Sequence, residues 1–578
     1  MKSLSFYICS VLFALNLLNI ITGTIYFIFP SNLFVWNING LLIILTIFLN
    51  SLFFALIGKV REKEGTELKR VRILTYIFYL YTNLSVLVLF FINFVGYTPD
   101  KVVNALFSSV ILLTFILLFF IPLVILLFFF LDSKKKEENR NKVDVRANKK
   151  KILYKFLKIL LTIEALFGMI MGLFAIIIFF APRIQNTLFF FMNVFFIPGA
   201  LILGIVIYNS TFFLLYTIKK KISEMKFTAT TIIVLGLAFS SISFIPMGYI
   251  PSTISSTDKE FSNAFNSYFD GDWRKIIEDS GYEDYLLETP FQLTGYFLGT
   301  GNPECETISN VLFFDGSESN YLVDKNIKLY FDAYLPKKPT NDLPGRNATI
   351  IRIHGGGWVI GDKGMMNVQM MNRYLAAQGY IVFDIQYGLN NNTQVFGSLQ
   401  SGPEYVYGDF IIDDMLRHIG NFTLYLEKNA AKYGANLSSV FISGGSAGGQ
   451  LACATALSIV SENYTNIFSD KLTIKGLIPY YPANNVQYEF ATRSKEEWVN
   501  PSLLINQNSP PCLIFQGEKD RLIEESELIK ETYLNYGRKD CALLTFPYGS
   551  HAADIYFPGH FNQIFLYYME RFLILYNS

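Results

Sequence analysis

Charge and histidine are scarce in this chain. Only 16% of its 578 residues are Asp, Glu, Lys or Arg, against about 25% in soluble globular domains, so the chain as a whole does not read as a water-soluble protein. The net charge is +1, which removes any global field that would attract nucleic acid. The five cysteines, Cys9, Cys305, Cys453, Cys512 and Cys541, form no CxxC pair, and no Cys/His spacing suits zinc. Neither a metal nor an organic cofactor is expected. Four histidines leave few choices for a catalytic base. What the chain has in excess is apolar: 52% of residues are hydrophobic, and 55 are Phe.

The apolar residues are concentrated in the first 250 positions. Crossing about 30 Å of hydrocarbon takes about 20 apolar residues, and seven runs qualify, at 4–29, 38–58, 73–97, 102–131, 156–181, 187–218 and 228–250. The first is too long for the apolar region of a signal peptide, and no small-residue cleavage site follows it, so it reads as retained. Connections alternate in charge: 59–72 carries six Lys/Arg, 133–158 eleven and 219–226 four, while 30–37 has none. The positive-inside rule then places the N-terminus in the cytoplasm and, after seven crossings, everything beyond 251 in a lumen or outside the cell. Few ionisable groups lie at membrane depth, which disfavours ion-coupled transport; Glu164 is read as reaching interfacial water. The result is a multipass integral membrane protein with the lipid bilayer as a partner. Five N-x-S/T triplets, at Asn347, Asn391, Asn421, Asn436 and Asn463, are usable only on the lumenal side, where disulfides among the last four cysteines would also be permitted.

Composition turns polar and Tyr-rich after 251, and residues 251–309 read as a junction with a short helix at 273–279. From 310 to 578, strand-like segments (327–335, 349–353, 380–385, 438–443, 472–479, 512–516, 542–546) alternate with helical ones (365–378, 409–433, 447–460, 524–536, 560–576). That rhythm predicts a mostly parallel central sheet covered by helices. The segment 480–509, rich in Tyr, Asn and charge, is expected to cap a pocket.

The chemistry sits at the strand ends. Gly444-Gly445-Ser446-Ala447-Gly448 fits G-x-S-x-G between a strand and a helix, the setting in which a serine is held exposed on a tight turn. A serine hydroxyl needs a base to become nucleophilic. Of the histidines, His354 and His418 precede the serine and His560 opens the terminal helix as a cap or surface residue; His551 follows the last strand. The carboxylate that fixes the imidazole tautomer is Asp520, after the strand 512–516, with Glu518 as competitor. His354-Gly355-Gly356-Gly357-Trp358 follows another strand, and the N–H groups of Gly356, Gly357 and Ala447 are the expected oxyanion donors. His354 is expected to brace that loop.

Together, H-G-G-G and G-x-S-A-G-G resemble the α/β-hydrolase superfamily, in particular the hormone-sensitive-lipase-like and acetyl-esterase carboxylesterases, over 310–578 only. The chain departs from those relatives at Gln386-Tyr387-Gly388-Leu389-Asn390, where Y-R-L-A-P-E is frequent, and at Gly445, where Asp or Glu is common. The resemblance implies an α/β-hydrolase fold behind a multispan helical membrane domain, and hydrolysis of a small-molecule or lipid ester by Ser446, Asp520 and His551 without a cofactor. An acyltransferase built on the same triad, and a non-catalytic receptor or adhesion ectodomain, are the alternatives.

Overall fold

The structure, a computed structural model, describes residues 2–63, 69–97, 101–134, 147–180, 187–217, 226–301, 303–365, 368–392, 401–485 and 487–577. Its N-terminal part is helical: α1 (Lys2–Ile28), α2 (Val35–Lys63), α3 (Lys69–Val95), α4 (Lys101–Lys134), α5 (Ala147–Phe180), α6 (Thr187–Phe196), α7 (Ala200–Thr217) and α8 (Lys226–Ser243). Among the described residues, six of these helices are long and apolar enough to cross a membrane by length and composition. The sixth expected run is broken at Pro198-Gly199 into α6 and α7. The seventh is shorter than expected. Its helix α8 ends at Ser243, and the apolar stretch Phe227–Ser243 falls below the six in length; at 1.5 Å per residue α8 is about 27 Å long. The basic connections largely fall outside the described residues.

Inside the bundle, polar side chains pair across helices as well as with helix carbonyls, as Asn16 does with Leu12 O and Asn209 with Tyr79 O. Asn16 and Asn50 exchange amide hydrogen bonds of 3.1 and 2.9 Å. Asn19 donates to Thr46 (2.8 Å), Ser51 to Asn209 (2.7 Å) and Asn209 to Asn83 (2.8 Å). Asn83 donates in turn to Glu164. The expectation that Glu164 reaches interfacial water is therefore corrected: its carboxylate turns inward, and its second oxygen is buried without a partner.

The C-terminal part is built on eight strands: β1 (Cys305–Asp315), β2 (Lys328–Pro336), β3 (Ala348–Ile353), β4 (Ile381–Ile385), β5 (Asn436–Gly445), β6 (Ile474–Tyr480), β7 (Cys512–Gly517) and β8 (Cys541–Phe546). Their order in the sheet is β1-β2-β4-β3-β5-β6-β7-β8. Only β2 runs against the rest, pairing antiparallel with both β1 and β4, and the remaining pairs are parallel. Side chains alternate across a strand, and here the alternation sorts two cores. Ile350, Val382, Phe441, Leu513 and Leu544 face one side; Ile351, Phe383, Ile442, Ile514 and Leu543 face the other. The second face is covered by α13 (Ile412–Tyr433), α14 (Ala447–Val460) and α15 (Ile523–Asn535), where α12 denotes Val368–Ala377 on the first face. β1 starts five residues before 310, and its mixed polar and apolar side chains, buried to varying degrees without a two-residue alternation, explain why it carries no strand pattern.

Residues 251–309 are more than a connector. They form α9 (Ile250–Phe269), α10 (Trp273–Ser280) and α11 (Leu293–Leu298). Phe261 and Phe265 of α9 pack on Tyr568 and Phe572 of the terminal helix α16 (His560–Tyr576). All six residues of α11 are buried, so its terminal backbone groups cannot turn to water and must find other partners. The helical bundle supplies them. Asn37 Oδ1 accepts from Leu293 N (2.9 Å) while its amide donates to Phe291 O (2.8 Å). Asn93 donates to Phe297 O (2.9 Å) and Tyr26 to Gly299 O (2.9 Å). From the sheet side, Gln563 of α16 clasps the backbone of Gln292, accepting from its N–H (2.9 Å) and donating to its carbonyl (3.2 Å).

The partners on the bundle lie at the C-terminal ends of α1 and α3 and the N-terminal end of α2. The C-terminal part thus packs at the end of the bundle from which α4 and α7 start. The ends of α2, α4 and α7 that lead into the basic connections are the opposite ones. Replacing Asn37 by Leu leaves the buried N–H of Leu293 without a partner, at about 1–3 kcal/mol, and the Phe291 carbonyl with Thr289 as its remaining donor. Thermal unfolding of the detergent-solubilised Asn37→Leu protein should show a clear drop in melting temperature; an unchanged midpoint would show that α11 does not depend on this bond.

Candidate active site

Ser446 stands between β5 and α14 with φ 57° and ψ −120°, a left-handed conformation that a residue with a Cβ adopts only under constraint. The constraint is visible. Its N–H donates to Tyr480 O (2.9 Å), and its carbonyl accepts from Ala483 N (3.1 Å) and Gln450 N (3.0 Å). Glycines remove the side chains that would collide at this turn: a Cβ on Gly444 would meet Gly448 O at 2.3 Å.

The structure brings His551 and Asp520 to this serine. His551 Nε2 lies 2.9 Å from Ser446 Oγ, and His551 Nδ1 lies 2.7 Å from Asp520 Oδ2. A carboxylate only accepts, so Nδ1 carries the proton and Nε2 accepts from the Ser446 hydroxyl. Asp520 is buried, whereas Glu518 two residues earlier is exposed. The two turns that carry the acid and the base are tied together, Lys519 N donating to Gly549 O at 2.8 Å.

The glycine loop after β3 lies directly against the serine turn. A Cβ on Gly355 would meet Gly445 O at 2.7 Å and Ser446 Cβ at 3.5 Å. Gly356 has φ +121°, and a Cβ there would meet Ile360 O at 1.9 Å, so only glycine fits. Gly356, Gly357 and Ser446 line one cavity, and Ala447 opens α14 immediately after the serine. Trp358 anchors the loop by donating its indole N–H to Gln450 of α14 (3.0 Å). His354 stacks on Tyr387 (4.4 Å between centroids) and donates from Nδ1 to Gly355 O (2.9 Å), the expected bracing position; burial lowers its pKa.

The other histidines are structural. His418 accepts from Gly388 N (3.2 Å) and so donates from Nε2 to Asp324 (2.9 Å), which Arg417 also engages. His560 is not a surface residue as expected: it is 2% exposed and packs beside Phe561 and Phe291. Burial holds its imidazole neutral, with a pKa of about 3. All five cysteines are buried and none is in a disulfide, so the pairings that a lumenal location would permit are not formed.

The cavity around Ser446 has a volume of about 310 Å³ and a mostly apolar lining. Among the described residues of 480–509, Tyr480 and Tyr481 line it and the rest do not. That segment packs on the opposite face, where Trp498 donates to Ser458 of α14 (3.0 Å) and Phe490 joins the second core. Sequence reasoning missed several groups that do line the cavity, among them Tyr481, Asp554, Arg352 and Asp384. The ring of Tyr481 lies 4.6 Å from that of His551, and its hydroxyl donates to Asp554 (2.7 Å). Arg352 on β3 donates to Ser443 (3.2 Å) and lies over Tyr480. Asp384, its register partner on β4, accepts from Gly364 N (2.7 Å) and Asn372 (3.0 Å). The available signal was position: these residues fall at or just beyond the carboxyl ends of strands, where open α/β sheets bind ligands.

Residues 331–498 match the BD-FAE family. Among curated proteins, the chain is 29% identical over 162 residues to liver carboxylesterase of Sus scrofa, covering 28% of this chain and 26% of the relative. It is 24% identical over 236 residues to esterase LipQ of Mycobacterium tuberculosis, covering 37% and 52%. The chain thus spans about half or less of the curated relatives it matches. Esterase 2 of Thermogutta terrifontis, phosphorylated by paraoxon, superposes with a TM-score of 0.32 and 22% identity over 43% of this chain and 85% of that one.

Burial raises the Asp384 carboxyl from 3.8 to about 7. A carboxyl whose folded pKa is raised favours folding fully below its unfolded value, and that contribution is lost as pH rises through the folded one. Stability should therefore fall by about 1.4 kcal/mol per pH unit between about pH 4 and 7 through this group. Melting temperatures recorded across that window should fall more steeply for the wild type than for Asp384→Asn; parallel curves would remove Asp384 from the account.

Proposed function

We propose that this chain is a membrane-anchored serine hydrolase that cleaves a carboxylic ester through an acyl-enzyme, with Ser446 as nucleophile, His551 as general base and Asp520 as its orienting carboxylate. The observation that carries this reading is the hydrogen-bonded chain from Asp520 through His551 to a serine held in a left-handed turn. The likeness to carboxylesterases in the same half supports it. In the first step Ser446 Oγ attacks the ester carbonyl while His551 Nε2 takes its proton, and Asp520 stabilises the imidazolium. The N–H groups of Gly356, Gly357 and Ala447 stabilise the oxyanion, each well-placed donor lowering the barrier by about 2.7–4 kcal/mol. His551 then returns the proton to the leaving alcohol, and water repeats the sequence to release the acid.

In this reading residues 1–250 anchor the enzyme in the bilayer, 251–309 join the two parts and 310–578 perform the chemistry. The hydrolase faces a lumen or the cell exterior. Support comes from the packing of that part against the bundle end remote from the basic connections, the side that the positive-inside rule assigns away from the cytoplasm.

Ser446→Ala should lower ester turnover by orders of magnitude while leaving the melting temperature near that of the wild type, because triad members act as a unit. A fluorophosphonate probe should label the wild type at Ser446 and not the variant. Turnover retained in Ser446→Ala would end the proposal. Protease added to intact cells should remove the C-terminal part; protection from outside together with digestion from the cytoplasmic side would reverse the orientation.

A further inference from the structure

The cavity that holds Ser446 is closed in part by the helical bundle. Val194 and Phe195, both on α6, line it together with the glycine loop, His551, and Met365 and Met371 at the start of the hydrolase's α12 region. α6 is a short helix, ended by the turn at Pro198-Gly199, and it is fixed from two sides. Phe195 stacks on Phe94 of α3 at 4.9 Å between centroids, and Tyr296 of α11 donates its hydroxyl to Pro198 O at 2.5 Å. Val194 is 7% exposed, while Phe195 keeps 37% of its surface accessible.

We infer that α6 forms part of the substrate site, and that the site takes an amphiphilic ester whose apolar chain lies against Val194 and Phe195 of the helical bundle. This deepens the esterase reading and rests on it. Three features carry the inference. The segment expected to cap the pocket packs elsewhere, so the bundle supplies that wall. The wall is apolar and includes methionines, whose unbranched, polarisable side chains adapt to a flexible chain. A second cavity of about 320 Å³ shares Phe557 with the first and is lined by Ile28, Ile92, Phe107 and Ile111 at the ends of α1, α3 and α4. A chain leaving the serine pocket past Phe557 therefore meets further helix surface, in which those apolar residues are interspersed with Asn93, Asn104 and Ser108.

The test uses the full-length protein in detergent or nanodiscs and two ester series, p-nitrophenyl esters from acetyl to dodecanoyl and alkyl butyrates of rising alcohol length. The variants are Val194→Trp, which fills the wall, and Val194→Ala, which widens it. In whichever series places its chain against α6, the ratio of kcat/KM for the long to the short ester should fall about ten-fold or more in Val194→Trp, the discrimination a hydrophobic pocket gives for a methylene or so of lost space. In Val194→Ala the preferred length should move to longer chains. Fluorophosphonate labelling of Ser446 reports separately that each variant is folded and competent. If Val194→Trp does not label, Val194→Ala decides. Length profiles that superimpose on the wild type in both series would overturn the inference while leaving the esterase reading intact. Absence of labelling and turnover in the wild type would instead remove the esterase reading itself.

Discussion

One face of the central sheet shares its apolar core with the N-terminal helical bundle as well as with α12 and α16. Tyr26, Phe90, Phe94, Phe115 and Ile197 of the bundle belong to the same continuous apolar cluster as Phe441, Phe515 and Leu544 of the strands. The link is α11, a buried helix of six residues whose exposed backbone ends are satisfied from both sides, by Asn37, Asn93 and Tyr26 from the bundle and through Gln292 by Gln563 from α16. Such a helix is too short to hold itself together. Its conformation exists only while both parts are in place, so the relative position of bundle and sheet is fixed by hydrogen bonds that neither part can replace with water.

A second constraint operates at the serine. Placing Ser446 at positive φ requires Gly444 and Gly448 to admit backbone contacts that no Cβ would allow, and the glycine loop must approach the same turn from β3. Both segments leave neighbouring parallel strands, with Ile353 and Gly444 in register. The parallel pairing thus delivers Ser446 and the glycine loop to one edge of the sheet. Asp520 and His551 arrive the same way from β7 and β8, which pair residue for residue from Cys512 and Cys541 to Gly517 and Phe546.

This explains what the sequence made legible. Strands buried on both faces read as short apolar runs bounded by turn residues, and the reactive positions follow them directly, so Ser446, Asp520 and His551 could be picked out by order and spacing. The same logic separated His551 from His354 and His418. What stayed hidden depends on contacts between segments distant in sequence. Asn37 and Asn93 look like ordinary polar residues in apolar helices until α11 is placed against them. Glu164 looks like an interfacial carboxylate until Asn83 of another helix meets it. β1 has no clean alternation because it is an edge strand, and 480–509 looks like a cap because nothing in its composition says which face of the sheet it packs on. Arg352 and Asp384 could have been suspected from their charge inside β-rich segments, which in a buried strand calls for a partner or a ligand.

The two constraints meet at α6. Its position is set by the stacking of Phe195 on Phe94 and by the bond from Tyr296 to Pro198. Tyr296 lies on α11, and its own carbonyl accepts from Tyr556, five residues after the catalytic-type histidine, at 2.6 Å. Tyr556 in turn packs against Phe90 and Phe94 of α3. A shift of the bundle relative to the sheet would therefore move the cavity wall and strain the loop that carries His551 through the same few side chains. Separating the C-terminal part from its helices would expose one face of its core and remove the α6 wall of its cavity, so the bundle is a structural component of that cavity.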